Sequence, residues 1–225
     1  MRKLQFTEGE YYHIYNRGNH KKEIFFSEAD YARFLFLVLF FQAPFTIYNI
    51  SRSVSAFLRK GSFGATKSTI QEITKNKIAE LVAFALMPNH FHLVVHERTP
   101  NGISRYMQRV QDAYTKSFNT KYQMIGHLFQ GPFHAVHIAD NEQLLHLSAY
   151  IHRNPNELRK WHAKEEKYLW SSYQDYIKNN RWGNLLNPQI ILEQYENQRE
   201  YADFVKTSGT KDILDNDHFI ETDTN

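Results

Sequence analysis

The sequence predicts an α+β fold in which helices pack on one face of a central antiparallel sheet, as in ferredoxin-like and RRM-like domains. Three observations support this prediction. The predicted elements follow the order strand, helix, hairpin, helix, strand, helix over residues 1–155. A Pro-Asn pair joins two apolar segments in the manner of a tight turn. The 225 residues are 42% apolar and include 17 Phe and 14 Tyr, which suffices for one well-packed core.

Turn and capping residues delimit the first strand and the first helix. Residues 11–16 (YYHIYN) are β-prone, and residues 17–19 (RGN) end them with turn-forming chemistry. Ser27 is a candidate N-cap, after which apolar residues recur at helical spacing until Pro44 approaches. We therefore expect a first strand followed by a first helix.

The hairpin comes next in the chain. Residues 81–87 (LVAFALM) and 90–97 (HFHLVVHE) predict two strands, and Pro88-Asn89 supplies the tight turn of an antiparallel hairpin. After a break at residues 101–102, apolar residues three or four positions apart predict a long second helix. Tyr114 falls on the apolar stripe of that helix, so we expect it in the core.

A last strand and a third helix complete the order. Residues 133–138 (FHAVHI) alternate as a strand does, and a helix is predicted from about Asn141 to Arg153. Pro155 ends that helix, because the residue before a proline is disfavoured in the helical region. Tyr150 lies on its polar face, beside the core stripe formed by Leu144, Leu147 and Ile151.

Two segments extend this pattern. Residues 51–69 are rich in Ser, Gly and Lys and contain four basic residues but no acid, which predicts a mobile basic insertion with short helices at its edges. Residues 170–173 (WSSY) predict a further helical start, and an amphipathic stretch that becomes acidic begins near Gln189. We therefore predict a main domain over residues 1–177 and a helical extension with an acidic tail over residues 178–225.

Composition and charge exclude several classes of protein. The absence of Cys excludes disulfide scaffolds, cysteine zinc sites and thiol nucleophiles. The longest apolar run, residues 34–41, is far shorter than the ~20 residues of a membrane-spanning helix. The N-terminus has no apolar core of a secretory signal, so we expect a cytoplasmic protein. Residues 1–202 carry 25 Lys and Arg against 18 acids, which fits a polyanionic partner.

Two histidines on the second hairpin strand have the spacing of a metal site. His90 and His92 alternate with Phe91, so both imidazoles point to one face and can converge on one cation while Phe91 enters the core. On its own, such a pair is more typical of two histidines on a solvent-facing sheet surface than of a metal site. The third helix supplies context, because Asn154 lies one turn beyond Tyr150 and could offer an amide oxygen as a third ligand. Alternatively, Tyr150 flanks the core and only makes a hydrogen bond through its hydroxyl.

Four segments together resemble one known family. MPNHFHLVV, GHLFQGPF, LSAYIHRNP and WSSYQDY, in this order, are similar to the single-tyrosine (IS200-like) transposases of the HUH nuclease superfamily, and within them to the REP-associated tyrosine transposases. The resemblance covers Tyr11 to about Tyr176. It implies a transposase that nicks and rejoins single-stranded DNA through a 5′-phosphotyrosine intermediate, on hairpin-forming repeat DNA such as a REP element.

The resemblance also implies roles for particular residues. Tyr150 matches the nucleophile, and His90, His92 and Asn154 match the residues that bind a divalent ion, Mg²⁺ or Mn²⁺. Among basic residues, Arg153 and Arg17 adjoin the expected site, whereas Arg105 and Arg109 belong to a basic stripe on the second helix for which a solvated face is an equal alternative. We therefore expect a DNA-binding enzyme, associated with the nucleoid when bound to DNA.

Other readings remain open at this point. A homodimer that exchanges the tyrosine helix and a monomer both fit the sequence, and no membrane partner is expected. A domesticated relative that binds structured nucleic acid without cutting it would retain the basic residues and not need Tyr150. A metal hydrolase that activates water ranks last, because the sequence offers no well-placed carboxylate beside the histidine pair.

Overall fold

The computed structural model describes residues 4–208 and confirms the α+β class. Within this range four strands form one antiparallel sheet in the order β2-β3-β1-β4. They are β1 (Tyr11–Arg17), β2 (Ala79–Met87), β3 (His90–Glu97) and β4 (His134–Ile138). The helices are α1 (Glu28–Phe40), α2 (Ile50–Lys60), α3 (Lys67–Lys75), α4 (Gly102–Tyr122), α5 (Asn141–Arg153), α6 (Tyr173–Ile177), α7 (Gln189–Leu192) and α8 (Gln198–Thr207).

Helices cover both faces of this sheet. Phe91 of β3 points to one face, where its ring lies 4.9 Å from the ring of Phe34 in α1, and α4 packs on the same side. Val94, also of β3, points to the other face and packs with Leu147 and Ile151 of α5. The expectation of helices on one face is therefore wrong for α5, which carries Tyr150. Strand alternation sends Phe91 to one side and its histidine neighbours to the other, so the tyrosine helix must lie opposite α1 and α4 to face them.

The segment predicted as a mobile insertion is largely helical and joins the core. Val54 and Phe57 of α2 are buried, and the ring of Phe57 stacks 4.5 Å from that of Phe63. The basic residues Arg52 and Arg59 point outward instead. Three apolar side chains along this polar segment thus suffice to anchor α2 on α1. The high content of Ser, Gly and Lys hides this apolar pattern in the sequence.

Residues beyond 177 pack on the same body as those before it. Trp182 and Leu185 are buried with the side chains of α1, and Tyr201 and Val205 of α8 are buried against α5. Most of the acidic tail predicted for this segment lies outside the described residues. Between residues 4 and 208 no helix is long and apolar enough to pass through a bilayer.

A buried carboxylate paired with a partly exposed arginine fixes the turn after α6. The Asp175 carboxylate is 1% exposed and accepts hydrogen bonds from Arg181 Nε (2.9 Å), Arg181 Nη2 (2.7 Å) and Trp182 Nε1 (3.1 Å). Arg181→Ala would remove the cation from this buried carboxylate, while the backbone N–H of residue 181 and Trp182 Nε1 still donate to it, so we expect a loss of about 1–3 kcal/mol in the free energy of unfolding. Urea titration measures this loss. The exposed Arg159→Ala serves as a control and should change stability by no more than about 0.5 kcal/mol; equal, small losses in both variants would contradict the assignment.

Candidate active site

Two histidines of β3 form the floor of the candidate site. His92 is 6% exposed, His90 is half-buried, and their ring centroids lie 5.0 Å apart. Phe91 between them is fully buried on the opposite face, as the alternation predicts. Both imidazoles therefore lie on the face of the sheet that α5 covers.

Helix α5 brings Tyr150 and Asn154 to these histidines. The Tyr150 ring meets the His92 ring edge to face, with centroids 5.5 Å apart. One turn further, Asn154 Oδ1 lies 3.2 Å from His90 Nε2. The structure thus assembles in one place the four side chains to which the sequence assigns the chemistry, although they come from two distant segments.

Hydrogen-bond chemistry at His90 favours a cation beside it. In the tautomer that carries its proton on Nδ1, His90 donates to Asn89 Oδ1, which lies 2.7 Å away. In that tautomer the neutral imidazole has its lone pair on Nε2, 3.2 Å from Asn154 Oδ1. A positive ion bound by both atoms satisfies that arrangement, because each is a donor to metals.

His13 of β1 is a site residue that the sequence did not identify. Its Nε2 lies 2.9 Å from His92 Nδ1, and its side chain is fully buried. When His92 Nδ1 donates to His13, the His92 Nε2 keeps its lone pair for a metal. Hydrogen-bond partners of metal-binding histidines commonly fix the tautomer in this way. The alternation of Tyr11, His13 and Tyr15 along β1 was the available signal, but sequence alone does not give the pairing of β1 with β3.

Burial keeps His92 uncharged. It lowers the pKa of His92 well below its ordinary value, and positive charge on His90, His13 and Arg17 lowers that pKa further. A neutral imidazole is the form that binds metal ions.

The donor set fits a small divalent ion. Two imidazole nitrogens and an amide oxygen suit Mn²⁺ and are acceptable to Mg²⁺, which prefers oxygen. Asn154 Nδ2 is buried and has no hydrogen-bond partner among residues 4–208, so the amide is held by what its oxygen contacts. No group of three or more His, Asp or Glu side chains in the described part of the chain is arranged to bind a metal alone. The candidate set therefore depends on Asn154.

Tyr150 is more buried than its place on the polar side of α5 predicts. Its side chain is 8% exposed, because the sheet covers its ring on one side. Its neighbours on that side of the helix contact Ser208, the last described residue: His146 Nδ1 lies 2.9 Å from its hydroxyl oxygen, and Arg153 Nη1 donates to its carbonyl at 2.7 Å. The polar face of α5 is thus partly covered by the end of α8.

A buried chain of hydrogen bonds holds α5 in place. His152, two residues after the candidate nucleophile, contacts the Tyr201 hydroxyl of α8 at 2.6 Å and Ser172 Oγ at 2.8 Å. Ser172 Oγ in turn accepts from the backbone of Phe84 in β2 at 2.9 Å, and Tyr201 donates to Ser148 at 3.0 Å. These bonds connect the helix to the sheet below it and to α8 beside it.

The burial of His152 makes stability depend on pH. Burial lowers its pKa to about 3, whereas in the unfolded chain it titrates near ~6.5. The unfolded state therefore binds a proton that the folded state does not, and the free energy of unfolding should fall as pH drops from about 6.5 towards 3, by up to about 1.4 kcal/mol per pH unit. Denaturant titrations should show a shallower fall for His152→Gln than for wild type; the exposed His162→Gln should follow wild type. Identical slopes in all three would contradict this reading.

The predicted DNA-binding arginines do not all lie at this site. Arg17 lines a cleft of about 500 Å³ that also includes His90, Asn89 and Lys21. Arg153 is next to the site but its guanidinium is engaged by the Ser208 carbonyl. Arg105 and Arg109 are on α4, which packs on the opposite face of the sheet.

Arg109, which the sequence predicts as a DNA contact, makes structural hydrogen bonds within the protein. Its guanidinium donates to the carbonyls of Phe41, Ala43 and Phe45, which follow α1. Arg105 is largely exposed and contacts Thr99 and the start of its own helix. Neither side chain reaches the histidine pair, because a helix on the far face cannot present residues through the sheet.

Comparison with known proteins adds a family match. Residues 51–154 match the family described as "Transposase IS200 like", a range that contains His90, His92, Tyr150 and Asn154. Among solved structures, the chain is similar to one described as a REP-associated tyrosine transposase bound to a REP hairpin, with 14% identity, a TM-score of 0.49, and coverage of 79% of this chain and 84% of that chain. No curated protein matches the chain. Over residues 51–154 the family match agrees with the IS200-like resemblance that the sequence motifs indicate.

Proposed function

We propose that the protein nicks and rejoins single-stranded DNA at the site formed by β3 and α5, a proposal supported by the match of residues 51–154 to the IS200-like transposase family. Tyr150 is the proposed nucleophile, and His90, His92 and Asn154 are the proposed ligands of Mg²⁺ or Mn²⁺. The observation that carries the proposal is the convergence of these four side chains from two segments, with Tyr150 against His92 and Asn154 against His90.

The proposed reaction is a transesterification at Tyr150. The phenolic oxygen attacks a backbone phosphorus, an oxygen–phosphorus bond forms, and the bond from phosphorus to the 3′ oxygen of the preceding nucleotide breaks. The phenolic proton passes to solvent, and the leaving 3′ oxygen takes up a proton. The products are a 5′-phosphotyrosine and a free 3′-hydroxyl, which can attack the link and restore the strand, because no bond energy has been lost to hydrolysis.

The remaining residues orient these groups. A divalent ion held by His90, His92 and Asn154 would polarise the scissile phosphate and favour the charge that develops on it. His13 holds the His92 ring and its tautomer. The hydrogen bonds from His152 to Ser172 and Tyr201 fix α5, so Tyr150 is held in a fixed position above the sheet. Such preorganisation is needed because a free tyrosine, with a pKa of ~10, is a weak nucleophile at neutral pH.

The proposed substrate is single-stranded DNA next to a hairpin-forming repeat, such as a REP element. Family resemblance supports the hairpin, and the basic excess of residues 1–202 supports a polyanion. Arg17 and Lys21 line the cleft beside His90 and are suited to contact phosphates there. We propose that the reaction takes place in the cytoplasm, on the nucleoid. We assign the catalytic unit to residues 1–177, supported from outside by α8.

Covalent capture of DNA tests this proposal. Purified protein is incubated with labelled hairpin-bearing single-stranded libraries and Mn²⁺ or Mg²⁺, denatured in SDS, and separated by electrophoresis. We expect a shifted protein–DNA species that chelator abolishes, and sequencing of the trapped DNA identifies the cleavage site. Binding of the same libraries without any covalent species would contradict the proposal and indicate a nucleic-acid-binding protein without catalysis.

A further inference from the structure

An aromatic row crosses the sheet beside the candidate site. His92, Tyr15 and His134 are directly paired across β3, β1 and β4 in the strand register. The Tyr15 ring is stacked on both neighbours, with its centroid 6.0 Å from that of His92 and 5.1 Å from that of His134. With Tyr150 at the edge of His92, the row begins at the proposed nucleophile and ends on the strand at the margin of the sheet.

The outer end of this row is open. Exposure rises along β4 from Ile138, which is 4% exposed and packs with Leu144 of α5, to His134, which is exposed. Tyr15 is half-buried, whereas His92 is buried. Helix α5 thus covers one end of β4 and leaves the other end uncovered. At that end the nearly parallel rings of Tyr15 and His134 (interplanar angle 15°) are accessible.

Most aromatic rings of this protein are explained by the core, but these two are not. Tyr12 and Ile14 precede Tyr15 on β1 at positions that point the other way, and they bury their side chains on the opposite face. Tyr15 belongs to neither buried apolar cluster of the described residues, and His134 is exposed. Partly exposed rings on a sheet surface are the means by which several nucleic-acid-binding folds hold unpaired bases, because every base has a flat π-face.

We propose that Tyr15 and His134 form a stacking platform for a nucleobase of the single-stranded DNA whose phosphate lies at His90 and His92. This inference rests on the proposed function and adds to it a base-binding site. Arg17, two residues after Tyr15, lines the cleft beside His90. Its positive charge, which is suited to a DNA phosphate, therefore lies next to the rings proposed to stack on the base. Single-stranded DNA is favoured as the occupant because a duplex hides the faces of its bases.

The test separates base stacking from phosphate attraction. In a Tyr150→Phe background, which removes the proposed nucleophile, affinity is measured by fluorescence anisotropy for a twelve-residue oligothymidylate and for an abasic strand of the same length and charge. Base–aromatic stacking contributes about 1–3 kcal/mol per base, so His134→Ala and Tyr15→Leu should each weaken oligothymidylate binding by roughly tenfold. Both should leave abasic binding unchanged, because the phosphates are the same.

Matched variants keep the test decisive. His134→Trp preserves a flat ring and should retain affinity, with quenching of the new indole fluorescence on binding. Tyr48→Ala removes a ring that is 78% exposed elsewhere and should have no effect.

His134 is exposed, so its variants test the platform even if Tyr15→Leu fails to fold. Oligothymidylate binding within twofold of the parent in His134→Ala, or an equal loss for the abasic strand, would overturn the proposal. Failure of the proposed function would be seen separately, as absence of a covalent adduct in the protein with Tyr150 intact.

Discussion

Tyr150→Phe is expected to abolish covalent capture of DNA while leaving the fold intact. The substitution keeps the ring, and therefore its edge-to-face contact with His92 at 5.5 Å, and removes only the oxygen that would bond to phosphorus. Removal of a nucleophile that acts in concert with its partners costs on the order of 10⁶-fold in rate. The SDS-resistant species should therefore fall below detection, whereas DNA affinity should stay close to that of wild type.

A matched control is available in the same layer of the protein. The Tyr195 hydroxyl is buried and has no hydrogen-bond partner among residues 4–208, and the Tyr195 ring packs 5.2 Å from that of Tyr201 in α8. Tyr195→Phe therefore also removes one phenolic oxygen near α5, and it should leave capture unchanged. Undiminished capture in Tyr150→Phe would show that another residue is the nucleophile.

Loss of a histidine ligand is expected to have the second largest effect. His90→Ala or His92→Ala removes one of three proposed donors, and Asn154→Ala removes the amide oxygen that faces His90. Stabilisation of charge at a phosphate by a metal amounts to several kcal/mol, so each variant should reduce the rate of capture by about 10²–10³-fold. Rates of adduct formation at a series of Mn²⁺ concentrations measure this effect, and part of the loss should be recovered at high Mn²⁺.

His96→Ala is the control for these variants. His96 lies on the same strand and the same face, stacked on Tyr11 and 3.6 Å from Glu80, well away from the histidine pair. The His96→Ala variant should capture DNA at the wild-type rate and with the wild-type dependence on Mn²⁺. If His92→Ala reacts as fast as His96→Ala, and both are folded by thermal melting, the assignment of the histidine pair as metal ligands is wrong.

The parts of the site that sequence could predict depend on local geometry. Alternation on one strand places His90 and His92 together, and helical periodicity places Asn154 one turn from Tyr150; both patterns are complete within a few residues. The turn at Pro88-Asn89 and the end of α5 before Pro155 were predictable for the same reason, since they are properties of proline itself.

The parts that sequence could not predict depend on contacts between distant segments. His13 meets His92, and Tyr15 lies between His92 and His134, only because β1 is the central neighbour of both β3 and β4 in one particular register. A slip of one residue would turn each ring to the other face. The basic helical stripe predicts a DNA contact for Arg109, but its three carbonyl partners belong to the chain after α1 and were not predictable from that stripe.

The most direct test of the account is to identify the residue that carries the DNA. Wild-type protein trapped on its substrate is treated with nuclease to leave a short nucleotide remnant, digested with trypsin and analysed by tandem mass spectrometry. The tryptic peptide of residues 122–153 contains two tyrosines, Tyr122 and Tyr150, which fragment ions distinguish. We expect the remnant on Tyr150, joined through a 5′ phosphate, and a released strand that ends in a 3′-hydroxyl. A remnant on any other residue, a 3′-phosphate linkage, or cleaved DNA without a remnant would contradict the account.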